Sequence, residues 1–192
     1  MNNFHSSGSF VRWRRVALLL IAVGLIISSP TNSQRPAAAG NKIGKLPKDS
    51  VAQRQLRMTD GSQHSLLSLR GKVIVVNFFA VWCGHSRDQI PSLIKLSESA
   101  SSRGVQVIGL AVEDDRTTAE KVSDFISAQR INYPVGMVSD PVFMEFVSSR
   151  VVDVPQTLVY GRDGKLAAHV IGHDAQTDAT IADAVRKELD KK

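Results

Sequence analysis

Cysteine is almost missing from this chain: there is one in 192 residues, Cys83. A lone thiol excludes an internal structural disulfide and any cysteine-rich zinc site. Aromatic residues are also sparse, at 6%, and beyond residue 39 no Lys/Arg cluster interleaves with them. The net charge of +6 therefore does not describe a nucleic-acid surface. Its placement explains it better. Residues 1–39 hold Arg12, Arg14, Arg15 and Arg35 with no acidic residue, which leaves the remainder close to balance. With 43% hydrophobic and 22% charged residues, the composition is that of a folded globular protein, neither disordered nor polytopic.

Membrane-length apolar segments are absent too. Val16 to Ile27 is an apolar run of 12 residues. As a helix it would reach roughly 18 Å, short of the ~30 Å hydrocarbon core. Arginines before the run and Ser28-Ser29-Pro30 after it are the parts of an export signal. Residues 1–30 are thus expected to be a cleaved signal peptide or an uncleaved N-terminal anchor. Thr31-Asn32-Ser33 and Ala37-Ala38-Ala39 are candidate cleavage sites. The arginines would stay cytoplasmic and the rest be translocated. That predicts a periplasmic or otherwise extracytoplasmic location, either free or held at the inner membrane. Lipidation at the signal is excluded because Cys83 lies far downstream. Residues 31–49, rich in Pro, Ala, Gly, Asn and Lys, read as a linker, and residues 50–192 as one domain.

Within that domain, Gln55–Met58 and Gln63–Leu67 read as a hairpin turned at Asp60-Gly61. Val73–Phe79 and Val105–Val112 are nearly continuous β-branched and apolar runs, as strands covered on both faces would be. Helices are expected over Ser86–Ser101, from the Thr117-Thr118 cap to Gln129, from Asp140-Pro141 through Phe146, and over Ala179–Leu189. Tyr133–Val138 is a further short strand, and Thr157–Tyr160 with Leu166–Ile171 a closing hairpin. The order predicts an α/β protein with a central mixed sheet flanked by helices. It matches a thioredoxin-like fold with an inserted strand–helix unit.

Cys83 follows the first long strand directly and opens a helix. Backbone N–H groups and the positive end of the helix dipole face such a position, a setting associated with reactive thiols. The run Gly71-Lys72-Val73-Ile74-Val75-Val76-Asn77-Phe78-Phe79-Ala80-Val81-Trp82-Cys83-Gly84-His85-Ser86, with Pro91 five residues on, resembles the active-site region of the TlpA/ResA-like thioredoxins. Val154-Pro155-Gln156-Thr157 and Asp163-Gly164-Lys165 resemble that family's cis-proline loop and following hairpin. The resemblance spans about Val51 to Leu189. It implies an exported thiol–disulfide oxidoreductase with Cys83 as nucleophile and Trp82, Val154 and Pro155 as the substrate-binding wall. His85 stands where the family more often has proline; Cys-Gly-His-Cys of protein disulfide isomerases implies that it supports the thiolate, against a plain solvent-exposed histidine.

Ser86 breaks the pattern, because the family carries its resolving cysteine there. A hydroxyl can hydrogen-bond Cys83, but it cannot complete a dithiol–disulfide cycle. The expected chemistry is therefore monothiol exchange of isomerase or deglutathionylation type, resolved by an outside thiol. Partners would be cysteine-containing exported proteins or low-molecular-weight thiols, with no metal or other cofactor. Glu113 and Asp114 are candidates for a proton relay, against a solvated acidic loop. Two alternatives stand beside exchange. One is a redox-inactive module that binds cysteine-containing polypeptides. The other, a one-cysteine peroxidase, fits poorly, since Ala80 and Val76 occupy the places of its threonine and proline. His169 and His173 are four residues apart, on a strand and turn rather than a helix, and do not make a metal pair.

Overall fold

The computed structural model describes residues 49–147 and 151–191. The expected signal or anchor and nearly all of the linker lie outside the described residues. No helix among the described residues is long and apolar enough to cross a membrane.

The fold is organised by β3, Val73–Phe79, in which all seven residues are buried. Side chains alternate across a strand, so β3 feeds two cores. Ile74, Val76 and Phe78 join one, and Val73, Val75 and Phe79 join the other. β3 pairs in parallel with β4, Val105–Val112, and antiparallel with β6, Gln156–Tyr160. β5, Val135–Val138, and β7, Leu166–Ile171, complete a five-stranded mixed sheet in the order β5-β4-β3-β6-β7. The short pair β1, Leu56–Arg57, and β2, Gln63–His64, stands apart as its own ribbon. It shields the β5 edge, since Thr59 N–H donates to the Val135 carbonyl at 2.7 Å.

Helices α2, Gly84–Ala100, α3, Ala119–Gln129, and α5, Ala175–Asp190, supply one core with Ile90, Leu93, Val122, Phe125, Ile181 and Val185. The opposite face is covered by α1, Asp49–Gln53, the ribbon, and α4, Asp140–Val147. There Phe143 and Phe146 meet Phe78 with ring centroids 5.0 and 5.3 Å away. β5 adds an edge strand beside β4, and α4 roofs the second face. The expected thioredoxin-like α/β architecture is the one observed.

Boundaries differ where side chains bond to backbone. The second ribbon strand stops at His64, because Ser65 and Ser68 exchange reciprocal hydroxyl–amide bonds of 3.0 Å and wind the chain into a 3-10 turn at Leu67–Leu69. The last helix starts at Ala175 instead of Ala179. Asp174 accepts the Thr177 N–H at 2.7 Å while the Thr177 hydroxyl takes that of Asp174, a reciprocal cap. β5 starts at Val135, not Tyr133; Pro134 has no N–H to give to a ladder.

The aromatic seam between α4 and β3 carries a stability expectation. Phe143→Ala should cost about 3–5 kcal/mol as a large-to-small core change, read as a lower urea midpoint at unchanged slope. An unchanged midpoint would mean that α4 packs loosely.

Candidate functional site

Strand register brings the site together. Phe78 at the end of β3 pairs with Gln156 at the start of β6, so the Val154-Pro155 loop arrives beside the turn that follows β3. The ends of β4 and β5 reach the same edge through the Val112–Val138 pair, and the end of β7 through the Gln156–Ile171 pair. Five chain segments thus converge on one rim of the sheet.

Cys83 is the N-cap of α2, in extended conformation, with its N–H donating to the Ala80 carbonyl at 3.1 Å. Its own carbonyl accepts the Arg87 N–H at 3.2 Å. The N–H groups of Gly84, His85 and Ser86 therefore lie in the first turn, where no intrahelical acceptor exists. Cys83 is half-buried, and its thiol donates to the Val154 carbonyl at 3.3 Å. The Val154–Pro155 bond is cis and Pro155 is buried, as the family resemblance implied. Cys83 and the proline loop are thus in direct contact.

Ser86 points inward. It is fully buried, and its hydroxyl oxygen accepts the Ala80 N–H at 3.5 Å. A bond from this hydroxyl to Cys83 is not among the hydrogen bonds of the described residues. His85, one residue earlier, is exposed and lines the cavity discussed below.

Trp82 stays 43% exposed, yet it is held firmly. Its indole N–H donates to Asp114 Oδ2 at 2.7 Å, and the Arg116 guanidinium lies over the ring, 3.5 Å from the centroid. Asp114 Oδ1 accepts the Arg116 N–H at 2.8 Å. The Asp114 carboxyl feels desolvation, which raises its pKa. Hydrogen bonds from the Arg116 backbone, the Trp82 indole and Thr117 outweigh this and hold it below its ordinary 3.8. The carboxylate form is the one that grips the indole. Glu113 is exposed, and its N–H is spent on the Val138 carbonyl at 2.9 Å. Of the two acids, then, Asp114 is the one the fold ties to the active-site turn.

Below the rim lies a polar cluster that the sequence reading did not single out. Asn77 on β3 donates from Nδ2 to Gln89 Oε1 at 2.7 Å and to Thr157 Oγ1 at 3.0 Å, and all three residues are fully buried. Paired buried amides of this kind set the register between helix and sheet. The available signal was a lone asparagine inside the apolar run of β3. Arg116 was also missed; only the tertiary fold carries it over Trp82. His169 and His173 do not converge. The first bonds Gln156 Oε1 at 2.7 Å, and the second pairs with Asp178 at 3.2 Å. Burial lowers the His169 imidazole pKa. No metal-binding group of side chains occurs among the described residues.

Beside Cys83 opens a cavity of about 720 Å³, bounded by Trp82, His85 and Val154 of the site and floored by Val112, Phe143 and Met144. Its size suits part of a polypeptide or a small organic ligand. A thiol at a helix N-terminus, a proline-loop carbonyl and an adjoining apolar cavity are the parts needed to form and hold a mixed disulfide.

Comparison with known proteins gives the same picture. The Redoxin family matches residues 38–185. Thiol-disulfide oxidoreductase ResA of Geobacillus thermodenitrificans is 25% identical over 161 residues, covering 84% of this chain and 86% of the relative. ResA of Bacillus subtilis is 25% identical over 128 residues, 67% of this chain and 68% of the relative. Among solved structures, a thioredoxin-family thiol:disulfide interchange protein from Chlorobium tepidum superposes with a TM-score of 0.64 at 26% identity. That match covers 79% of this chain and 99% of the other.

The Asp114–Trp82 bond makes a pH prediction. A carboxyl held below 3.8 keeps its grip at all higher pH and loses it only as pH falls through the lowered value. With Trp13 replaced by Phe, acrylamide quenching of Trp82 should be flat from neutral pH down to mildly acidic pH and rise only in strong acid. Asp114→Asn should raise quenching at every pH. Equal quenching in Asp114→Asn and the parent would show that the carboxylate does not hold the ring.

Proposed function

The chain belongs to the Redoxin family, among the TlpA/ResA-like thioredoxins, and from that premise we propose that it catalyses monothiol thiol–disulfide exchange through Cys83. The observation that carries this reading is the pairing of a half-buried Cys83, in contact with the Val154 carbonyl, with a fully buried Ser86 at the resolving position. Family-level oxidoreductase chemistry is inherited from the fold, and the mechanism is narrowed by that serine.

Cys83 gives its proton to solvent and attacks one sulfur of a substrate disulfide. The Cys83–substrate S–S bond forms, the substrate S–S bond breaks, and the departing thiolate takes up a proton. A second thiolate, from the same substrate or from a small thiol, then attacks the substrate sulfur and releases Cys83. One disulfide is exchanged for another and no net electrons are consumed. His85 at the cavity rim stands near enough in sequence to assist the thiolate, and Trp82, Val154 and Pro155 form the wall against which the substrate lies. Asp114 acts on Trp82 as a positioning residue and, with Glu113, is the acid available for proton movement at this rim.

Residues 1–30 supply the export signal or anchor in this reading and 31–49 the tether, which places the domain outside the cytoplasm. The substrates are exported cysteine-containing proteins or low-molecular-weight thiols.

The test compares the wild-type chain with Cys83→Ser and Ser86→Cys on a peptide–glutathione mixed disulfide and on insulin. Wild type should exceed Cys83→Ser by at least about 100-fold on the mixed disulfide and be weak on insulin. Ser86→Cys should gain about tenfold or more in insulin reduction, because it restores an internal resolving thiol. A wild-type rate no higher than that of Cys83→Ser would overturn exchange and leave a peptide-binding module.

A further inference from the structure

We infer that the cavity beside Cys83 selects polypeptide cysteines that have an apolar residue and a lysine or arginine close by, and disfavours anionic small disulfides. This rests on the exchange reading and names its substrate class.

Charge at the cavity is one-sided. Among the described residues its ionisable lining is Asp114, Asp140, Asp153 and His85, with neither lysine nor arginine. Asp114 is already engaged, by the Trp82 indole, the Arg116 backbone and the Arg116 guanidinium at 3.9 Å. Asp140 and Asp153 have no ion-pair partner among the described residues. Two uncompensated carboxylates bordering a low-polarity cavity focus a field that attracts cations and repels anions.

The walls ask for an apolar group. Val112, Phe143 and Met144 form the floor, and Val152 and Ile171 stand at the boundary with 60% and 42% of their surface exposed. With Trp82, three of the six large hydrophobic residues most exposed on the described surface border this one cavity. Clustered exposure of that kind marks a binding surface more than chance scatter does. Buried apolar area would supply affinity, and the carboxylates would set orientation and preference.

Both features bear on the occupant. Glutathione carries two carboxylates and one ammonium group, presents little apolar surface, and meets the cavity with the wrong charge. An extended polypeptide can place its cysteine at Cys83 Sγ, an apolar side chain over Phe143 and Met144, and a cationic one toward Asp140 and Asp153.

The experiment uses short peptides, each with one cysteine activated as a neutral pyridyl disulfide, and follows pyridylthione release by stopped flow. One peptide has Leu and Lys beside the cysteine, a second Leu and Glu, and a third Ser and Lys. Rates are divided by those of free cysteine with the same peptide. At about 50 mM salt the Leu/Lys peptide should react with Cys83 about tenfold faster than the Leu/Glu peptide, and the ratio should shrink at about 0.5 M. Asp140→Asn/Asp153→Asn should bring that ratio close to one, and each single variant should give an intermediate value. The Ser/Lys peptide should lose several-fold. A ratio near one in the wild type, or one that the double variant leaves untouched, would refute the charge selection. Neutral dipyridyl disulfide separates the two failures: if Cys83 reacts with it no faster than free cysteine does, the exchange reading itself fails.

Discussion

The pairing of β3 with β4 on one side and β6 on the other is the constraint on which everything else rests. β3 is buried along its whole length, so it can sit only at the centre of the sheet with a helix layer on each face. Once it is there, the parallel crossover to β4 must run through α2, and the start of α2 is forced to the C-terminal rim of the sheet. Antiparallel β6 begins at that same rim. Cys83 and Pro155 are 72 positions apart in the chain, yet the Phe78–Gln156 register leaves them no other place to meet.

Beneath the rim, the Asn77, Gln89 and Thr157 side chains lock this meeting in place. An apolar strand facing an apolar helix could slide by a turn at little cost. Three fully buried polar side chains resist such a slide, because it would break the bonds they share, leaving Asn77 Nδ2 and Gln89 Oε1 unpaired beside Asn77 Oδ1 and Gln89 Nε2, which have no partner already. On the surface, Asp114 and Arg116 do the corresponding work for Trp82. They grip the ring from its edge and its face and turn an exposed aromatic side chain into a fixed wall.

Much of this was legible in the residues. The Val-Ile-Val-Val run of β3 and the alternation of β4 with helix signals defined the sheet, and Trp82-Cys83 could be placed at a strand–helix junction. Pro155 could be placed only through the resemblance, since its bond geometry and the contact of the preceding Val154 carbonyl with Cys83 belong to the tertiary fold. Other features left no periodic trace. Side-chain caps at Ser65, Ser68 and Asp174 moved element ends by several residues, because a single hydroxyl or carboxylate decides where a ladder or helix begins. The cavity draws its lining from the turn after β3, the start of α2, the ends of β4 and β7, α4 and the proline loop, and no local pattern links those stretches. Asp140 reads in sequence as a helix start; that it shares one cavity with Asp153 is a fact of three dimensions.

The sealing of Ser86 also has a stereochemical consequence. Displacement at a disulfide sulfur needs the attacking and leaving sulfurs nearly collinear with the one between them. To strike the Cys83 sulfur of a mixed disulfide, a nucleophile must come from behind it, the interior side on which the fully buried Ser86 lies. That trajectory belongs to a resolving residue within the chain, and here it ends in a hydroxyl bonded to the Ala80 amide. Thiols from solution are left with the substrate sulfur, which they approach from the open side. In the monothiol exchange proposed above, the regiochemistry of release would then follow from packing: the substrate would depart still oxidised, with a new disulfide partner, and the protein as the free thiol.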